Sequence, residues 1–270
     1  MKYETLFNHE RIQKIGFGTW RIGGASSPNY SQDERSLAAL RSALELGYTH
    51  FDTAEMYGGG HSEELLGQAI CDSSLDRESL FITSKVTPSH LRYDDVLRAC
   101  EGSLRRLRMD YIDLYLIHWP SDSIPLEETF SALNQLVAQG KVRHLGVSNF
   151  DLAQLKKSQA LSATPIVTNQ VPYNLFDRSC VKDGIRAYCQ ANDVLLTAYS
   201  PIKGGRIKVN SALQTIANAH QATPYQIALA WLVQQPKVIT IPMSFDRQHQ
   251  AENIAAADIE LTESEMEQLS

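Results

Sequence analysis

The sequence predicts a closed (β/α)8 barrel of the TIM type, and three observations lead to this fold class. Apolar strand segments alternate with amphipathic helices about eight times along the chain. The length of 270 residues is close to the roughly 250 that such a barrel needs. Polar residues follow several of the strands, at the barrel end where functional side chains converge. Because no linker rich in Pro, Gly or Ser interrupts the pattern, we expect one domain spanning residues 1–270.

The strands are predicted from apolar, β-rich runs that end at turn residues. Residues 112–117, in YIDLYLIHWP, are nearly all apolar, as expected of a parallel strand buried on both faces. Residues 15–18 are a candidate first strand. The other strands are predicted to begin near Thr49, Leu80, Lys141, Ile166, Val194 and Val238. Alternating residues around Asn8 and Glu10 predict an N-terminal β-hairpin that closes the bottom of the barrel.

The helices are predicted from apolar spacing and from capping signals. The sequence SQDE at residues 31–34 resembles a capping box that opens a helix ending at Gly47. Residues 92–107 carry apolar side chains at helical spacing. Thr223 and Pro224 predict an N-cap followed by proline at the first helical position. Thr262 is expected to cap a short final helix.

Composition excludes several classes of partner. The net charge is -6 and no block of like charge is present, so a nucleic-acid partner is not expected. No run approaches the roughly 18 apolar residues of a membrane span, and the N-terminus lacks the apolar core of a signal peptide. The four cysteines have no CxxC spacing, and no HxH or HExxH motif predicts a metal site. We expect a soluble, cytoplasmic protein with reduced cysteines and no metal.

Four polar residues lie at or just after predicted strand ends. Asp52 closes one strand and Tyr57 lies in the loop that follows it, within FDTAEMYGGG. Lys85 ends the strand that begins at Leu80, and His118 ends the next strand. In a barrel these positions converge on one face, so we expect the four side chains to meet there.

Eight motifs, in order and spanning almost the whole chain, resemble the aldo-keto reductase family. They are GFGTW, FDTAEMYGGG, ITSKV, YIDLYLIHWP, KVRHLGVSNF, TNQVPYN, AYSPI and IPMSFDRQHQAEN. The resemblance, to bacterial members with a short C-terminal tail, implies a nicotinamide-dependent carbonyl reductase. It implies cofactor binding without a Rossmann fold, in agreement with the absence of a G-x-G-x-x-G motif after the first strand.

The resemblance implies a catalytic tetrad of Asp52, Tyr57, Lys85 and His118, and the residue types suit carbonyl reduction. A carbonyl needs a hydride at carbon and a proton at oxygen. Tyr57 is the expected proton donor, with its pKa lowered by the Lys85 ammonium. Asp52 is expected to hold Lys85, and His118 to donate to the carbonyl oxygen or to tune Tyr57. Taken singly, a buried Asp–Lys pair or a strand-end histidine is often only structural.

The resemblance also implies which residues bind the dinucleotide. Ser148, Asn149 and Gln170 resemble a clamp for the nicotinamide carboxamide, and Tyr199 resembles the aromatic side chain that stacks on the ring. The basic loop after Tyr199 is expected to fold over the pyrophosphate. The other implied contacts are Thr19, Trp20, Ser200, Pro201, Ile202, Gly204, Arg206, Ile241, Met243, Ser244, His249, Glu252 and Asn253. From the residues alone, Ser148 and Asn149 also suit a helix N-cap, and Tyr199 suits core packing.

One departure from the family pattern concerns the cofactor's 2′-phosphate. Family members specific for the phosphorylated cofactor usually carry a lysine and an arginine where this chain has Met243 and His249. We expect Ser244 at a helix start, with Arg247 or protonated His249, to hold the phosphate. The family's habit favours NADP(H), while NAD(H) or dual use stays open.

The substrate site is implied by three side chains, Trp20, Met56 and Trp119. They resemble the apolar walls of the family's pocket. The chain stops at Ser270, soon after the last predicted helix, and the loop after His118 is short. We therefore expect an open pocket that takes small aldehydes and ketones, in a monomeric enzyme.

Two other function classes stay open from the sequence. The first is a binding or sensory subunit that keeps the cofactor but hardly turns over. The second is a non-redox barrel enzyme in which Lys85 forms a Schiff base with a carbonyl substrate. The acidic partner Asp52 argues against the second, because it favours the charged ammonium over the neutral amine.

Overall fold

Eight parallel strands form a sheet whose neighbours follow chain order, and the computed structural model describes residues 2–269. A separate antiparallel pair, β1 and β2, precedes them. The strands are β1 (Tyr3–Thr5), β2 (Arg11–Gln13), β3 (Phe17–Gly18), β4 (His50–Asp52), β5 (Phe81–Val86), β6 (Ile112–Ile117), β7 (Val142–Ser148), β8 (Ile166–Pro172), β9 (Leu195–Tyr199) and β10 (Val238–Thr240). All predicted strands are confirmed within two residues of their expected starts.

Backbone hydrogen bonds close this sheet into a barrel. Ile15, just before β3, bridges in parallel to Thr240 at the end of β10. The Gly16 amide donates to the Thr240 carbonyl at 2.8 Å, and the Thr240 amide donates to the Lys14 carbonyl at 2.8 Å. β3 and β10, the first and last strands of the eight-stranded sheet, are therefore neighbours, so the predicted (β/α)8 barrel is confirmed.

Helices connect the strands and cover the outside of the barrel. They are α1 (Asp33–Glu45), α2 (His61–Cys71), α3 (Tyr93–Leu107), α4 (Leu126–Ala138), α5 (Leu152–Leu161), α6 (Ser179–Lys182), α7 (Ile185–Ala191), α8 (Ser211–Ala219), α9 (Pro224–Val233), α10 (Arg247–Ala255) and α11 (Glu263–Gln268). Their buried apolar faces pack on the outward side chains of the strands. Within residues 2–269, none of the helices combines the length and apolarity that crossing a membrane would require.

The helix-capping predictions differ in outcome. Capping boxes at Thr223 and Thr262 are both formed, each threonine accepting from the backbone amide three residues later. The box predicted at Ser31 is wrong. Ser31 lies in a short 3-10 turn, its hydroxyl donates to the Asn29 side chain at 2.7 Å, and α1 begins at Asp33. Ser31 is therefore not the N-cap of α1, because that position falls to Gln32, whose side chain makes no capping hydrogen bond.

The N-terminal hairpin closes the bottom of the barrel, as predicted. Leu6 and Ile12 pack into the barrel's lower end against inward-facing strand residues such as Phe81 and Leu195. The Glu10 carboxylate also holds the hairpin against the barrel, outside the apolar cluster that contains Leu6, Ile12, Phe81 and Leu195. It lies 2.7 Å from His144 Nε2 and 2.8 Å from Arg143 Nη1, both on β7.

The period of two along each strand determines which residues reach the barrel's top. Successive side chains on a strand point to opposite faces. Phe81 belongs to the bottom cluster, so Thr83 and then Lys85 share its inward direction, and Lys85 comes at the upper end of β5. The same count on β4 directs His50 and then Asp52 inward. The two side chains therefore meet inside the barrel.

We expect Ile12→Ala to lower the free energy of unfolding by about 2–5 kcal/mol, because Ile12 is 1% exposed and its loss leaves a cavity under the strands. Thermal or urea unfolding measures this. Thr5→Ala, at an exposed position on the same hairpin, is the matched control and should unfold like the wild type. Equal stability of both variants would mean that the hairpin does not contribute to the core.

Candidate active site

A buried ion pair lies at the top of the barrel. Lys85 is fully buried, and its Nζ atom lies 2.5 Å from Asp52 Oδ1. It also donates to the Thr53 carbonyl at 2.8 Å and to the Tyr57 hydroxyl at 3.3 Å. All three ammonium hydrogens therefore have an acceptor, which offsets the cost of burying the charge.

Tyr57 is held over this pair by the loop that follows β4. The chain turns there through Gly58 and Gly59, whose φ angles of 57° and 62° lie in the left-handed region that glycine adopts without strain. A side chain at Gly58 would also meet the Gly23 carbonyl oxygen at 2.8 Å. The Lys85 Nζ lies 4.9 Å from the centre of the Tyr57 ring, so the phenol and the ammonium face each other.

Burial controls the protonation of this group. Desolvation raises the pKa of Tyr57, and the Lys85 ammonium opposes that rise without overcoming it. The expected net lowering of the Tyr57 pKa is therefore wrong. Burial alone would lower the pKa of Lys85, but the Asp52 carboxylate and the hydrogen bonds raise it above its usual value. The phenol keeps its proton and the lysine stays an ammonium at neutral pH.

His118 completes the cluster from the end of β6. Its ring stacks on Trp119 at 4.0 Å between centroids and meets the Tyr57 ring edge-on at 5.6 Å. Burial and the Lys85 charge lower the pKa of His118 to about 2, so the imidazole is neutral. Its Nδ1 is buried without a partner among residues 2–269, which leaves Nε2 as the ring nitrogen open to a ligand.

The three residues of the predicted carboxamide clamp, and the predicted stacking residue Tyr199, lie together towards the ends of β7, β8 and β9. Asn149, with a φ of 61°, donates to the His118 carbonyl and to the Ser148 hydroxyl, both at 3.0 Å. Its Oδ1 accepts from the Tyr199 hydroxyl at 2.8 Å. The suggested N-cap is formed by Asp151 instead of Ser148 or Asn149.

Gln170 makes a contact that the sequence did not suggest. Its side-chain nitrogen donates to Asp52 Oδ2 at 2.8 Å, the oxygen that Lys85 does not use. The Gln170 side-chain oxygen accepts no hydrogen bond from residues 2–269 and stays available as an acceptor. One amide therefore joins the clamp to the ion pair, across 118 residues of sequence that carry no local signal of it.

The loop predicted to cover a pyrophosphate follows β9. Four of its residues have left-handed backbone: Ser200, Lys203, Gly204 and Gly205, with φ of 52°, 47°, 63° and 79°. The Lys203 ammonium lies 5.8 Å from the Phe176 ring centre, and Arg206 is exposed. Pro201 is buried and Ile202 packs on the core at the loop's start. The loop thus presents both of its cations to solvent beside the clamp.

The segment after β10 departs from its prediction. Ser244 is not at a helix start, because α10 begins at Arg247 and is capped by Asp246, which accepts from the His249 amide at 3.0 Å. Arg247 is bound elsewhere, to Glu45 at 2.6 Å. The Asp246 carboxylate therefore already occupies the helix start at which the sequence predicted that the phosphate would be held.

The remaining predicted contacts lie on the same segment and on β3. Asn253 is buried, and the Glu252 carboxylate accepts from the Gln248 side chain at 2.9 Å. Ile241 is buried, and Met243 packs on the hydrophobic core. Thr19 follows β3, fully buried, with its amide donating to the Asp52 carbonyl at 2.9 Å.

Two tryptophans flank the cluster. Trp20 is 40% exposed and its ring lies 5.0 Å from that of Tyr57, nearly perpendicular. Trp119 is 39% exposed on the other side, over His118. Met56, partly buried, precedes Tyr57. The phenol and the imidazole thus lie between two apolar walls. No group of three or more His, Cys, Asp or Glu side chains within residues 2–269 is placed to hold a metal.

Comparisons with known proteins agree with this arrangement. Residues 14–270 match the model of the Aldo/keto reductase family. Methylglyoxal reductase YeaE of Escherichia coli (strain K12) is 39% identical over 264 residues, covering 96% of this chain and 90% of its own length.

Two solved structures resemble the fold closely. The thermostable aldo-keto reductase Tm1743, solved with the inhibitor epalrestat, superposes with a TM-score of 0.97 at 50% identity, over 100% of this chain and 98% of its own. An aldo/keto reductase from Klebsiella pneumoniae, in complex with NADP and acetate, gives a TM-score of 0.89 at 38% identity, over 99% and 94%.

We expect Asp52→Ala to lower the free energy of unfolding by about 3–5 kcal/mol, because it leaves the Lys85 ammonium buried without its partner. Urea unfolding measures this, and Asp52→Ala/Lys85→Met should recover part of the loss. Glu127→Ala is the control, since it breaks the exposed pair with Lys157 and should change little. Additive losses in the double variant would contradict the pairing.

Proposed function

The chain belongs to the aldo/keto reductase family, and on that premise we propose that it reduces small aldehydes and ketones to alcohols with NADPH. Tyr57 supplies the proton, assisted by Lys85, Asp52 and His118. The observation that carries this proposal is the chain of contacts from Asp52 through the Lys85 ammonium to the Tyr57 hydroxyl. It keeps a proton donor, backed by a fixed positive charge, at the open end of the barrel.

The clamp residues fit a nicotinamide carboxamide. The oxygen of Gln170 is free to accept from an amide nitrogen, and the Asn149 and Ser148 side chains lie beside it. Tyr199 is only partly buried, so its ring can cover one face of a planar ligand. The bound reduced dinucleotide supplies the hydride. The protein's part is to fix the ring's position and to exclude water from the reacting carbon.

Two donors meet the carbonyl oxygen. The Tyr57 hydroxyl keeps its proton because burial raises its pKa, and the neutral His118 offers an N–H at Nε2. As negative charge develops on the oxygen, it is stabilised by both donors and by the ammonium behind the phenol. Proton transfer from Tyr57 completes the alcohol, and the Lys85 ammonium stabilises the phenolate that remains.

The alternative functions fit the residues less well. A Schiff base needs a neutral amine, whereas Lys85 has a raised pKa and all three of its hydrogens are bonded. A cofactor-binding subunit without turnover would not need the phenol and imidazole between open apolar walls.

The substrate class follows from the walls and from the relatives. Trp20, beside the Tyr57 ring, and Trp119, stacked on His118, are 40% and 39% exposed and offer apolar surface next to the two donors. The E. coli relative is named for methylglyoxal, and the K. pneumoniae relative is complexed with NADP. We propose short aldehydes and α-oxoaldehydes as substrates and NADP(H) as the preferred cofactor.

The setting of the enzyme is part of the proposal. We propose a monomer that acts in the cytoplasm.

All four cysteines are free thiols, and three of them are buried in the packing between strands and helices, where they serve as apolar side chains.

We expect Tyr57→Phe to lose about 10²- to 10⁴-fold in kcat for methylglyoxal, because the hydroxyl that supplies the proton beside the Lys85 ammonium is removed. The dissociation constant of NADPH, measured by fluorescence titration, should stay within about twofold of wild type. Tyr30→Phe, at an exposed tyrosine 66% open to solvent, is the control and should keep full activity. Reduction undiminished in Tyr57→Phe would refute the assignment of the proton donor.

The pH dependence of reduction is expected to be flat from about pH 5 to about pH 9, measured as kcat/KM for the carbonyl at saturating NADPH. His118, with a pKa of about 2, stays neutral throughout. The raised pKa of Tyr57 keeps the donor protonated until the pH exceeds the ordinary phenol range, where the rate falls. An acid limb near pH 6, or an alkaline limb below pH 8, would contradict these directions.

A further inference from the structure

We propose that Arg35, on α1, supplies the cation that binds the 2′-phosphate of NADP(H), in place of the two cations absent at Met243 and His249. The inference rests on the proposed function, since it assumes that a dinucleotide binds beside β10. It identifies the residue that sets the preference between the phosphorylated and the unphosphorylated cofactor.

The segment from Ser244 to Gln250 packs along α1. At one end the Arg35 guanidinium lies over the Phe245 ring, 4.3 Å from its centre. In the middle of α1, the Ala39 carbonyl accepts from the Gln250 side-chain nitrogen at 3.1 Å. The same nitrogen donates to the Ser244 carbonyl at 2.8 Å, within the segment. Arg35 is thus held on Phe245, the residue next to Ser244, although 210 positions separate Arg35 from Phe245 in sequence.

Arg35 has no acidic partner within residues 2–269. The positions three and four residues away on the helix are Ser31, Gln32, Ala38 and Ala39, so no carboxylate can pair with it along α1. Its side chain is exposed, and its only contact of note is the face of Phe245. Such stacking holds the planar guanidinium while its N–H groups stay free for an anion.

The other cations near this segment are already engaged. Arg247 lies 2.6 Å from Glu45 and 3.1 Å from the Ser42 hydroxyl, at the opposite end of α1. The His249 ring lies 4.0 Å from the Asp246 carboxylate. Arg35 is therefore the unneutralised positive charge beside Ser244.

Asp246 opposes phosphate binding in the same place. Its amide donates to the Ser244 hydroxyl at 3.1 Å, and its carboxylate caps α10 through the His249 amide. A phosphate at Ser244 would meet this negative charge. The balance between Arg35 and Asp246 then decides how well the phosphorylated cofactor competes with NAD(H).

The test compares dissociation constants of NADP⁺ and NAD⁺ by isothermal titration calorimetry. Arg35→Ala should weaken NADP⁺ binding by roughly 10- to 100-fold, the loss of one charge-assisted contact, and leave NAD⁺ within about twofold. Asp246→Asn keeps the helix cap and should tighten NADP⁺ selectively. Arg247→Ala is the matched control, an arginine on the same interface that is already paired, and should leave the NADP⁺/NAD⁺ ratio unchanged.

The outcomes separate this inference from the proposed function. An NADP⁺/NAD⁺ ratio in Arg35→Ala equal to that of the wild type, with both dinucleotides bound, overturns the role of Arg35 alone. Equal weakening of both cofactors does so too, because it reports a general disturbance of α1. A wild-type protein that binds neither dinucleotide overturns the proposed function together with the inference.

Discussion

The Asp52–Lys85 pair is the interaction on which the site depends. Two charges at the top of a closed barrel are stable only because each is fully bonded: the ammonium to a carboxylate, a carbonyl and a phenol, and the carboxylate to the ammonium and to Gln170. The pair carries no net charge, yet its positive end faces Tyr57. Burial, and after it the Lys85 charge, lowers the pKa of His118, which keeps the imidazole neutral. Burial and this one ammonium together set the protonation of Tyr57 and His118.

The barrel fold itself positions the side chains of this pair. Inward residues repeat every second position, so apolar side chains such as Phe81 fill the lower layers and Lys85 comes last on the same strand. The hairpin seals the lower end with Leu6 and Ile12. Asp52 and Lys85, at the upper ends of β4 and β5, therefore lie above these apolar layers.

Much of this was predictable from sequence, because strand ends and helix caps are local signals. The barrel, the hairpin and the meeting of Asp52 with Lys85 follow from periodicity and from the placement of polar residues after apolar runs. Distant contacts are not local signals. Nothing near Gln170 in sequence points to Asp52, and nothing near Phe245 points to Arg35. Burial raises the Tyr57 pKa and the Lys85 charge lowers it, and residue types alone do not say which effect is larger.

The double engagement of Gln170 has a consequence for redesign of the protein. A single amide presents one end to the ion pair and the other to the clamp, so the two halves of the site are not separate modules. Any laboratory effort to widen the clamp for an artificial nicotinamide analogue that replaces this side chain also strips a hydrogen bond from Asp52. A variant at that position must supply a new hydrogen-bond donor to the Asp52 carboxylate. Without one, the change of ligand comes with a weakened Asp52–Lys85–Tyr57 arrangement.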